Sequence, residues 1–92
     1  MLKPRDQNDI GQRLKRIAGQ VSGVQRMVDD GRELGDVITQ LSAVRAAVGG
    51  VSNIVLACHV EERAGEILNS QSERERRDLV GELVRLFDKR HS

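Results

Sequence analysis

The sequence predicts an all-α fold of three helices, short, long and short. Apolar residues recur at alternating spacings of four and three over most of the 92 residues, as they do in helices that pack side by side. The composition has no Trp or Tyr and one Phe, so aliphatic side chains form the apolar surface. No segment reads as a strand. A chain of this length makes one domain, which we place over residues 1–92.

The first helix is predicted from about Asp9 to Asp30, with Asn8 or Asp9 as its N-cap. Gly31 is expected to end it in a left-handed conformation. The apolar stripe that defines this helix has spacings of four, three, four, three and four, and consists of Ile10, Leu14, Ile17, Val21, Val24 and Val28.

The second helix is predicted from about Leu34 to Leu68, roughly 50 Å at 1.5 Å per residue. Gly49 and Gly50 lie in its middle and weaken it locally. One short helix cannot cover a helix of this length, so we expect a second copy of the chain to lie along it. Its stripe continues the same spacing and consists of Val37, Leu41, Val44, Val48, Val51, Val55 and Cys58.

The third helix follows the polar segment 69–72, where Ser72 and Glu75 fit a capping box. Its apolar side chains lie on one face and are Leu79, Val80, Leu83, Val84, Leu86 and Phe87. The three helices complete an architecture that is suited to self-association.

The sequence does not predict catalysis, which would need a nucleophile, a base and an orienting group that converge. Cys58 and His59 are neighbours on a helix, about 100° apart around its axis, so their side chains diverge. The sequence has no Gly-rich phosphate loop and no HExxH motif. The chain also opens without an apolar signal region, contains no long apolar run and has one cysteine. We therefore expect a soluble cytoplasmic protein that is not an enzyme and has no membrane partner.

Cys58 and His59 leave two interpretations each. Cys58 falls on the apolar stripe, where a lone cysteine is usually a small buried hydrophobic residue, and the alternative is a reactive or ligating thiol. His59 lies just off the stripe and is either an interface hydrogen-bonding residue or a metal ligand. Glu62 is three residues further on, a weak carboxylate–imidazole pairing.

Basic residues gather on the first helix, although the formal net charge of the chain is only +1. Arg13, Lys15 and Arg16, with Arg26 further along, can neutralise phosphates of a nucleic acid. A solvated helix face is the more common explanation for such a group. The long second helix also rules out a helix-turn-helix.

Two segments resemble a known family. RLKRIAGQVSGVQRMV (13–28) and DVITQLSAVRAAV (36–48) are similar to the CsoR/RcnR/FrmR family of copper-, nickel/cobalt- and formaldehyde-sensing transcriptional repressors. The resemblance covers about residues 9–88. It implies an antiparallel four-helix-bundle dimer that assembles as a dimer of dimers and binds operator DNA through a basic face. An effector bound at the second helices then releases the DNA.

The resemblance assigns Arg13 to the position of the family's principal DNA-contacting arginine, with Lys15 and Arg16 as supporting contacts. A basic residue often found midway along the second helix corresponds here to Gly49 or Gly50. This part of the DNA-binding surface therefore differs from the family's pattern.

At the effector site, the resemblance places Leu34, His59 and Arg63 where copper-sensing members have Cys, His and Cys. Two thiolates are then missing, so the Cu(I) site is incomplete and no cofactor is assigned. The resemblance also implies that this chain lacks the residues with which other family members sense formaldehyde, nickel or cobalt, and persulfide. Any metal role falls on His59. The candidate effector pocket consists of Leu34, Cys58, His59 and Arg63, and an anionic or organic effector is one hypothesis for it.

Three functions remain open. The first is a repressor with a non-standard effector, and the second is a constitutive DNA-binding protein without an effector. The third is a helical scaffold that associates with a sensing paralogue and does not bind an operator on its own.

Overall fold

In a computed structural model of the chain, the structure describes residues 2–91, with side chains described to residue 89. This range holds α1 (Pro4–Asp29), α2 (Leu34–Asn69) and α3 (Glu73–His91), and no strand. The prediction of an all-α chain with a long middle helix is confirmed. The helices form two compact units, one spanning Leu2–Val55 and the other running from Leu56 onward. A single domain over residues 1–92 stays a prediction.

Helix α1 begins at Pro4, five residues before the predicted start at Asp9. Proline suits the first helical position because its φ is already helical and its missing N–H would have no partner there. Lys3 takes the N-cap position without a side-chain hydrogen bond, so the predicted caps Asn8 and Asp9 are wrong. The apolar stripe starts only at Ile10, which is why the pattern missed the first turn.

The end of α1 follows the prediction. Gly31 has a φ of 70° and its N–H donates to the Val28 carbonyl at 3.2 Å. The Arg32 N–H donates to the Met27 carbonyl at 3.0 Å. These two bonds form a Schellman motif, which needs a left-handed residue at the glycine position.

The core of the Leu2–Val55 unit uses half of each predicted stripe. Every seventh residue is covered, and we call these residues the covered series: Ile10, Ile17 and Val24 of α1, and Val37, Val44 and Val51 of α2. The residues between them are exposed, and we call them the open series: Leu14, Val21 and Val28 of α1, and Leu41, Val48 and Val55 of α2. The covered series packs one helix against the other, while the open series stays exposed among the residues that the structure describes.

Helix α2 runs unbroken through Gly49 and Gly50. It is long and apolar enough to cross a membrane by length and composition, with 6% of its most apolar 18-residue window buried. The expectation of no long apolar run was therefore wrong. Composition does not distinguish a membrane span from a helix that another protein covers, since both present apolar side chains to a non-aqueous neighbour.

In the unit from Leu56 onward, a serine pair starts α3. The Glu75 N–H donates to Ser72 Oγ at 3.2 Å, which confirms the predicted N-cap. The Glu75 carboxylate accepts a hydrogen bond from Ser70 Oγ at 3.0 Å, and the Ser72 N–H donates to the same Ser70 Oγ at 3.2 Å. Ser70 thus stands between the two members of the predicted capping box.

Candidate functional site

The basic residues of α1 are exposed, and Arg13 pairs with a carboxylate of its own helix. Its Nε donates to both carboxylate oxygens of Asp9, each at 3.3 Å, one helical turn earlier. Both side chains are about half exposed. Exposed ion pairs with this spacing contribute little, about 0.3–0.5 kcal/mol. The Arg13 guanidinium therefore stays available to a stronger anion.

Helical geometry divides the predicted DNA contacts between two sides of α1. Arg16 follows Arg13 by three residues and shares its side of the helix. Lys15 follows Arg13 by two residues, about 200° around the axis. Lys15 instead shares a side with Arg26, eleven residues later. The three predicted contacts therefore face two directions.

Arg45 is a candidate DNA contact that was not predicted from the sequence. It is exposed on α2, in the same unit as Arg13. Between Asp36 and Glu61 it is the only charged residue in the sequence. An isolated cation on an apolar helix was the available signal, and it went unused because Arg45 does not belong to a basic run.

The candidate effector residues fall in different units. Leu34 is the first residue of α2, in the Leu2–Val55 unit, and is 78% exposed. Cys58, His59 and Arg63 lie further along α2, in the other unit. Cys58 is half-buried and continues the covered series of α2 by seven residues.

The structure brings His59 and Arg63 to one carboxylate, that of Glu82 on α3. His59 Nε2 lies 3.6 Å from Glu82 Oε1, and Arg63 Nη2 lies 3.4 Å from the same oxygen. Sequence reasoning did not name Glu82, because helical spacing reveals neighbours on one helix but not contacts between two helices.

Arg63 is also held by its own helix. Its Nη1 donates to Glu66 Oε1 at 2.9 Å and to Oε2 at 2.7 Å. The hydrogen bond to Glu66 raises the pKa of Arg63, and the nearby charges of Glu66 and Glu82 raise it further. Two carboxylates thus balance this guanidinium. That arrangement leaves little attraction for an anionic effector at Arg63.

Metal-binding groups do not converge among the side chains that the structure describes. Among the residues with described side chains, no group of three or more His, Cys, Asp or Glu is arranged to hold a metal ion. His59 and Glu82 supply two candidate donors, and Arg63 adds none because a guanidinium has no lone pair to offer a metal.

Comparison with known proteins defines the family. Residues 6–89 match the model of the metal-sensitive transcriptional repressor family. The chain belongs to this family. The predicted resemblance is confirmed, and so is the prediction that the chain is not an enzyme, since its relatives in the metal-sensitive repressor family are transcriptional repressors.

Individual relatives agree in sequence and fold. The copper-sensing transcriptional repressor CsoR of Bacillus subtilis is 34% identical over 85 residues, which is 92% of this chain and 81% of that protein. The transcriptional repressor RcnR of Citrobacter koseri is 30% identical over 84 residues, 91% of this chain and 90% of that protein. The crystal structure of the copper-sensing repressor CsoR with Cu(I) from Geobacillus thermodenitrificans superposes with a TM-score of 0.86 at 32% identity. That superposition covers 100% of this chain and 93% of the other.

Proposed function

We propose that this chain is a DNA-binding transcriptional repressor that lacks the complete Cu(I) site of its copper-sensing relatives, so that its effector is non-standard or absent. Family membership supports the repressor role. One observation supports the altered effector site: Arg63, at an expected thiolate position, is engaged by Glu66 and Glu82.

Copper chemistry requires ligands that these positions do not offer. Cu(I) prefers soft thiolates. Of the three expected ligand positions, His59 alone has a metal-binding side chain, while Leu34 and Arg63 have none. Cys58 is a poor replacement because it precedes His59 by one residue and projects about 100° away around the helix.

Operator DNA is the proposed partner, and the α1 cations are the proposed contacts. Arg13 is the principal contact with phosphate, and its weak pairing with Asp9 leaves the guanidinium available. Arg16 assists from the same side of the helix. Lys15, on the other side, contacts a different phosphate or a different stretch of the groove.

Self-association into dimers and tetramers is the proposed state in the cytoplasm. The open series supports this, because apolar side chains at heptad spacing are the surface that a second helix pair covers. A copy of the chain seated there accounts for the apolar character of α2 without a membrane.

The test is DNA binding at several salt concentrations, with a labelled duplex from the region upstream of the protein's own gene. We expect log K to fall linearly with log salt concentration. Arg13→Ala should weaken binding and reduce the salt slope by about one for each phosphate that is no longer neutralised. Light scattering should show an unchanged oligomeric state.

Arg77→Ala is the matched control, since Arg77 also pairs with a carboxylate one turn earlier, Glu73, and is exposed on α3. Unchanged affinity of Arg13→Ala at moderate salt would refute its role as the principal contact. If the wild-type protein fails to bind DNA, the scaffold function is favoured instead. Release of DNA by one member of a ligand panel would separate an effector-controlled repressor from a constitutive one.

A further inference from the structure

Arg63 joins two helices by contacts that a simple surface arginine does not make. Two hydrogen bonds attach its guanidinium to Glu66 on α2, and a third contact, at 3.4 Å, reaches Glu82 on α3. The Arg63 side chain is 28% exposed. Its Nε is buried without a hydrogen-bond acceptor among the described residues. A buried donor without a partner is unfavourable, so the carboxylate contacts must outweigh this cost to keep the guanidinium in place.

Glu82 Oε1 is shared between this guanidinium and an imidazole. His59 Nε2 lies 3.6 Å from it, and Arg63 Nη2 lies 3.4 Å from it. Two ligands bound to one tetrahedral metal ion at about 2.0–2.1 Å are themselves about 3.4 Å apart. His59 and Glu82 thus have nearly the separation of two ligands on one ion. Glu66, on the other side of Arg63, adds a further carboxylate.

The Arg63 guanidinium occupies the position that a metal cation would take among His59, Glu66 and Glu82. His59, Glu66 and Glu82 are not arranged to hold a metal ion while Arg63 lies among them. An imidazole and carboxylates are nevertheless donor types that divalent metals such as Zn²⁺ accept. The two carboxylates instead contact Arg63, whose charge is permanent in proteins. An external cation would have to displace this charge and break the contact between α2 and α3.

We propose that Arg63 is an internal cation that holds α3 against the end of α2 and keeps external divalent cations away from His59 and Glu82. This role concerns the effector site of the proposed function but does not depend on DNA binding. Its tests therefore use the full-length protein without DNA, and their failure would leave the repressor role untouched.

Co²⁺ titration, followed by visible absorption and by calorimetry, is the first test. The wild-type protein should bind Co²⁺ weakly or not at all. Arg63→Ala should bind it at least tenfold more tightly, because it frees both carboxylates. Arg63→Lys retains the charge and should behave like the wild-type protein. Arg77→Ala, which breaks the ion pair with Glu73 elsewhere in the same unit, should also bind Co²⁺ like the wild-type protein.

Adding Glu82→Gln to Arg63→Ala should abolish the gain. Equal Co²⁺ affinity of the wild-type protein and Arg63→Ala would overturn the proposal. A gain in affinity that persists after Glu82→Gln would also overturn it, because the ion would then be bound elsewhere.

Thermal unfolding is the second test and does not require Arg63→Ala to bind a metal. Arg63→Ala and Glu82→Gln should each lower Tm by a few degrees, and the double variant should lower it by less than the sum, because both break one contact. Arg77→Ala should leave Tm within about 1 °C of the wild-type value, as exposed pairs contribute little. Additive shifts would show that Arg63 and Glu82 act independently and would contradict the proposed link between α2 and α3.

Discussion

Arg13 and Arg63 each have a carboxylate within one helical turn, yet their surroundings suit them to different tasks. Arg13 meets Asp9 at 3.3 Å, with both side chains about half exposed. Arg63 meets Glu66 at 2.7 Å and reaches Glu82 on a second helix. A weakly held guanidinium can transfer to a phosphate, whereas one held by two carboxylates serves the protein's own structure.

The ion pair between Asp9 and Arg13 should weaken DNA binding by Arg13. Its carboxylate lies beside the Arg13 guanidinium and adds negative charge to the proposed DNA-binding face. Asp9→Asn should tighten DNA binding by about twofold at low salt, the range expected for removing one exposed charge interaction. The gain should shrink as salt rises. Fluorescence anisotropy measures it.

Asp6→Asn, which removes an acid from the first turn of the same helix, is the control for a general change in net charge. If the two variants tighten binding equally, the effect comes from overall charge and not from the pairing of Asp9 with Arg13.

Single residues were predictable where a local rule governs them. Gly31 and Ser72 followed from the chemistry of helix ends, which depends on neighbours within a few residues. The contacts of His59 and Arg63 with Glu82 were not predictable in this way. Glu82 is 23 residues beyond His59 in the sequence, and only the packing of α3 brings it near.

At the scale of the helices, each stripe divides into a covered and an open series. A stripe with heptad spacing has two edges, and the partner helix within the chain covers one of them. Leu41 of the open series is 50% exposed. The remaining edge is exposed, and we propose that a second pair of helices covers it in a dimer.

Leu41→Glu should weaken self-association by about tenfold or more, because it removes an apolar contact and places a charge at the proposed interface. Light scattering over a range of protein concentrations measures the change. Ala43→Glu is the control, since it adds the same charge two residues later, about 200° around the helix, on an exposed position. An oligomer that withstands Leu41→Glu would show that the open series is not the interface.

The helices themselves were largely predictable. Helix α2 ends one residue beyond its predicted end, since its apolar spacing continues almost to the last turn. The start of α1 was not predictable, because residues 5–9 are polar and proline at the first turn leaves no periodic signal. The division into covered and open series also lay beyond the sequence, since equal spacing does not reveal which edge faces the other helix.

At the scale of the whole molecule, this chain has the metal-sensitive repressor fold, and we propose that its effector site is altered. The family match spans residues 6–89, and the three-helix architecture agrees with that of a solved copper-sensing relative. Residues that the resemblance assigns to copper are Leu34 and Arg63 here, while His59 remains. The proposed outcome is a repressor that no longer responds to copper through thiolate ligands.

The most direct test of this claim is competition for Cu(I) between the purified protein and a high-affinity chelator. We expect the wild-type protein to retain no Cu(I), because one imidazole cannot replace two thiolates and an imidazole. The variant Leu34→Cys/Arg63→Cys, which supplies both thiols, should retain Cu(I) and so show that the assay detects a complete site. Retention of one Cu(I) per subunit by the wild-type protein would contradict the proposed loss of the copper site.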